Sequence, residues 1–109
     1  MRQKQRVKRV VPLETLGLDI SSISYESLNE IAQVAMDFME GELSKVLGRL
    51  CEYVATINIS RNDRVDVTVD IELYSQTPIA PSVLAKIDSM IAEVLEVVRN
   101  ELLRKHGVS

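Results

Sequence analysis

Residues 53–60, YVATINIS, and 64–73, RVDVTVDIEL, decide the fold. In the first, Tyr53, Ala55, Ile57 and Ile59 alternate with Val54, Thr56, Asn58 and Ser60; in the second, Val65, Val67, Val69, Ile71 and Leu73 alternate with Asp66, Thr68, Asp70 and Glu72. A period of two places each apolar set on one face of a half-buried strand. The link Arg61-Asn62-Asp63-Arg64 is short and polar, and its Asn and Asp suit turn conformations, so the two strands read as an antiparallel hairpin. Its apolar face lies on one side and its acidic face points outward.

Upstream the period is 3.6. Ser24 is placed to cap the first N–H groups of a helix, with Ile23 stapling onto Leu28. Leu28, Ile31, Ala32, Ala35, Met39, Leu43, Val46, Leu47 and Leu50 then recur at helical spacing, which predicts a helix from about Ser24 to about Cys51. Gly41 and Gly48 are each unfavourable by about 1 kcal/mol relative to Ala, so either is a place for the helix to bend or end. Downstream, Thr77-Pro78-Ile79-Ala80-Pro81 cannot continue a ladder, and Pro81 suits a first helical turn. Leu84, Ile87, Ile91, Val94, Leu95, Val98 and Leu102 form the next stripe, closed by Arg104, Lys105 and Gly107. The expected class is α+β and two-layered: helix-strand-strand-helix, the hairpin covered on one face by two helices. A basic extension over residues 1–20, strand or arm, precedes a single domain over 21–109.

With 109 residues and 46% hydrophobic content the chain suits one core. It contains no apolar run of about 18 residues and no apolar segment behind its basic start, which predicts a cytoplasmic protein without a membrane span. Cys51 reads as a small buried side chain, and His106, near the end, has no obvious second ligand. These counts argue against zinc sites and against a Ser/His/Asp arrangement. Gly17, Gly41, Gly48 and Gly107 are too scattered for a phosphate-binding loop. Asp66, Asp70 and Glu72 share the outward face of the second strand, where a hard cation or acid–base chemistry is conceivable, but an exposed face is acidic for solvation alone. No catalytic group, cofactor or metal is expected.

Charge is unevenly spread. Arg2, Lys4, Arg6, Lys8 and Arg9 give the first eleven residues five positive charges, while the net charge of the whole is −3, so the remainder carries −8. Such an arm could bind phosphates with strong salt dependence, but Tyr25, Phe38, Tyr53 and Tyr74 are the only aromatics and none lies within it. Its spacing also suits a strand, with Arg6 and Lys8 on one side, Val7 and Val11 on the other, and Arg9 interrupting the apolar side. A lone hairpin leaves both outer edges unpaired, so either this segment or a second copy of the chain should cover one. Val83, Met90 and Val97 widen the apolar arc of the second helix and mark a candidate partner surface.

The run ELSKVLGRLCEYVATINIS, then VDVTVDIELYS, a proline-containing link and an amphipathic helix resemble a family of small archaeal proteins known only as a domain of unknown function. The resemblance covers about residues 24 to 103. It implies a helix-strand-strand-helix domain whose genes often neighbour those of the prefoldin beta subunit and a small dimerising subunit of the KEOPS tRNA-modification complex. The expectation is a non-enzymatic interaction module, homodimeric, serving as accessory subunit of a larger assembly in folding, translation or tRNA modification. The alternative is an RNA-binding accessory protein that uses the basic arm.

Overall fold

The computed structural model describes residues 3–49 and 51–108; Arg2 and Leu50, both invoked above, lie outside the described residues. In chain order the elements are strand β1 (Gln3–Leu13), a 3-10 turn (Ile20–Ser22), helix α1 (Tyr25–Leu47), strands β2 (Cys51–Arg61) and β3 (Val65–Ser75), and helix α2 (Pro81–His106). The class is α+β, as the two periodicities require. The basic segment is a strand: β1 pairs antiparallel with β3 on the side opposite β2, giving the order β1-β3-β2. β1 and β2 therefore run parallel, with β3 inserted between them, the split β-α-β arrangement.

This order places β3 at the centre, and its side chains record that. Val65, Val67, Val69, Ile71 and Leu73 are all 0% exposed. They meet Ile31, Ala35, Met39 and Leu43 from α1 and Ile87, Val94, Val98 and Leu102 from α2 in one cluster. Strands of 11 residues span about 36 Å at ~3.3 Å per residue, and the 26-residue α2 about 39 Å, so the molecule is a rod of 51 × 21 × 21 Å.

Two boundaries differ from the periodic reading. α1 stops at Leu47 because Gly48 turns to φ +59°, its N–H still closing the last turn on the Ser44 carbonyl. Cys51 is consequently the first residue of β2, half-buried, and not a helix residue. Gly41 passes through α1 without a break. The Ser24 cap is present, its hydroxyl accepting from the Ser27 N–H at 3.1 Å. α2 ends where Leu18 bridges Gly107 and the Val108 N–H reaches the Gly17 carbonyl at 2.8 Å. A β-carbon at Gly107 would collide with the Leu103 carbonyl oxygen, so only glycine permits that close approach. Among the described residues no helix is long and apolar enough to cross a membrane.

Candidate interaction surface

Both helices cover one face of the sheet; the other is open. Three rows of side chains line it: Lys4, Arg6, Lys8, Val10 and Pro12 from β1; Tyr74, Glu72, Asp70, Thr68 and Asp66 from β3; Glu52, Val54, Thr56, Asn58 and Ser60 from β2. The first row is basic, the second largely acidic and the third mostly uncharged. Val10 and Val54 stand out as exposed apolar side chains at 60% and 56%.

The cations of β1 are largely engaged by the fold. In register Arg6 lies opposite Glu72 and Lys8 opposite Asp70, but the ion pairs run along the diagonal, which long side chains can span. Arg6 donates twice to Asp70, at 3.0 and 2.6 Å, and Lys4 lies 3.6 Å from Glu72 and 6.0 Å from the Tyr74 ring centre. Arg9, on the helix side, reaches over to Asp88 of α2 at 3.1 Å. The Arg6 hydrogen bond holds the Asp70 carboxyl below its ordinary range, and the Tyr74 hydroxyl does the same for Glu72, with Lys4 adding to it. Arg6 in turn is raised by Asp70. Asp66, Asp70 and Glu72 are thus charge partners spread along β3, and among the described residues no group of three acidic, His or Cys side chains could hold a metal ion.

The proposed partner surface on α2 is divided. Met90 is only 3% exposed and belongs to the core, because α1 packs beside α2 and takes up that flank. Val83 and Val97 are half-buried against the same core. Val83 also borders a cavity of about 170 Å³ beneath the β3–α2 link, with Val46, Leu47, Cys51 and Ile79. The buried Ser75 beside it donates to the Thr77 carbonyl, so its hydroxyl is satisfied within the fold.

His106 has partners that local sequence could not disclose. The end of α2 returns to the start of α1, where Ser27 Oγ lies 2.6 Å from Nε2 and Ser22 Oγ 3.1 Å from Nδ1. The residue counts argue against a Ser/His/Asp arrangement; the topology brings two serines to His106. The Asp19 carboxylate, however, accepts from Ser21 at 2.7 Å, and among the described residues the hydrogen-bond partners of the imidazole are the two serines. The group ties the end of α2 to the start of α1, helped by the Lys105–Glu30 pair at 2.9 Å.

No family model and no curated protein matches the chain. Among solved structures it is similar to a crystal structure of a protein from Thermococcus onnurineus NA1, at 24% identity and a TM-score of 0.64, covering 92% of this chain and 94% of that one. The likeness is one of fold.

Proposed function

We propose that the chain is a non-enzymatic interaction module that self-associates and serves as an accessory subunit of a larger assembly. The carrying observation is what the fold does with its basic segment. Arg6, Lys4 and Arg9 meet Asp70, Glu72 and Asp88 of the same chain, so most of the charge that suggested phosphate contact is answered internally. Among the described residues the molecule offers outward an open sheet face and the outer edges of β1 and β2, of which that of β2 is the less charged. Strand edges recruit partners through main-chain hydrogen bonds, and this favours protein over nucleic acid. The resemblance to the archaeal family of unknown function agrees with an accessory role.

The test pairs two measurements on the full chain. Light scattering at micromolar concentration is expected to give a mass near twice the 12.2 kDa of one chain, and filter retention of tRNA at about 50 mM salt is expected to show no binding. A 12.2 kDa species that retains tRNA would reverse the reading in favour of the RNA-binding alternative.

A further inference from the structure

We propose that the outer edge of β2 pairs antiparallel with β2 of a second copy, about a two-fold axis through Thr56, with Met36 of α1 beside that axis. The inference rests on the self-association reading and gives it a specific surface.

β2 carries none of the features that keep an edge strand solitary. Its eleven residues, CEYVATINISR, contain no Lys, Pro or Gly, and its charges, Glu52 and Arg61, lie at opposite ends. A two-fold interface must be complementary to itself, and β2 is. About Thr56, Thr56 faces Thr56 of the other copy, Val54 faces Asn58 and Glu52 faces Ser60 on the open face. On the helix face Ala55 meets Ile57, Tyr53 meets Ile59, and Cys51 meets Arg61. Every residue of the strand finds a counterpart and no like charges oppose each other.

The side chains near this edge are also incompletely covered. Tyr53 and Ile57 belong to the apolar cluster yet stay half-buried, while Val69 and Leu73, opposite them on β3, are 0% exposed. α1 adds a matching flank. Its contacts from Ser27 and Glu30 to His106 and Lys105 show which side faces α2. At 3.6 residues per turn, Met36 lies about half a turn around the axis from Ser27, on the side away from α2. Met36 and Ala32 are half-buried there. Only three residues separate the end of α1 at Leu47 from the start of β2 at Cys51, so the two run antiparallel. From Leu47 back to Met36 is about 16 Å at ~1.5 Å per residue, and from Cys51 on to Thr56 about 16 Å at ~3.3 Å per residue. Met36 therefore sits at the level of Thr56, where its counterpart in the second copy can meet it.

The experiment uses the full chain with Cys51→Ser, which leaves no native thiol. Thr56→Cys in that background is expected to give a covalent dimer under mild oxidation, since directly opposed antiparallel residues have Cα atoms about 4.5–5.5 Å apart, within disulfide reach. Asn58→Cys is expected to stay uncrosslinked, being about 13 Å from its counterpart at ~3.3 Å per residue. In otherwise unaltered chain, Thr56→Lys sets two ammonium groups against each other at an exposed position and should weaken the dimer about tenfold or more, with the circular dichroism of the monomer unchanged. A monomer throughout at micromolar concentration overturns self-association as a whole. A dimer indifferent to Thr56→Lys, crosslinking as well from position 58 as from 56, overturns the β2 pairing alone.

Discussion

The two edge strands are equal in length and pair with the same central strand, yet they are opposites in chemistry. β1 carries Lys4, Arg6, Lys8, Arg9 and Pro12 along 11 residues; β2 carries one charge at each end. Paired with itself about its midpoint, β1 would set Lys8 against Lys8 and bury Pro12, which has no N–H to give. β2 meets neither obstacle. The cations that resembled a nucleic-acid arm in isolation thus join β1 to the acidic row of β3, and charge of this kind along an outer edge disfavours its pairing with another strand.

The most disruptive way to break this comparison is to remove one edge. Deleting residues 3–9 takes away Val7 and most of the β1 ladder, exposing Ile71 and Leu73. Burial of one such side chain alone is worth about 1.5–3 kcal/mol against a total of roughly 5–15, so cooperative thermal unfolding should be lost or drastically lowered. Ile71→Ala, at the fully buried centre, should cost about 2–5 kcal/mol in denaturant melts, and Val11→Ala on the half-buried β1 edge distinctly less. Removing the guard without removing the strand, by Lys4→Thr together with Lys8→Thr, should leave the fold intact but make β1 competent to pair; species larger than a dimer in sedimentation are the expected sign.

The smallest effect concerns acid. Asp70 has its folded pKa depressed by Arg6, so its contribution to stability is present above its ordinary value of 3.8 and is lost as pH falls through the lower folded value. Melting temperature should therefore decline below about pH 4, and Arg6→Gln should flatten that decline while leaving the part owed to Glu72 and Tyr74.

How much of this was legible in the sequence depended on the range of the interaction. The hairpin, the Ser24 cap and the Pro81 start are local, written in side-chain period and in a few residues with fixed backbone needs. The end of α1 was ambiguous because Leu50 continues the helical spacing of Val46 and Leu47 past Gly48, and only the positive φ at Gly48 resolves it. β1 was visible as one of two uses for the basic segment, its alternation masked by Arg9, whose position on the apolar side makes sense once Asp88 lies within reach. Met90 and His106 depended on long-range packing: the first is covered by α1 beside α2, the second by the return of the chain's end to Ser22 and Ser27. No spacing rule connects residues that distant.

The most direct test of the difference between the edges is amide hydrogen exchange, read strand by strand at high and low protein concentration. The outward-pointing N–H groups of β2 should be protected at high concentration and lose that protection on dilution, while those of β1 exchange rapidly at both. Equal, concentration-independent exchange from the two edges would contradict the account.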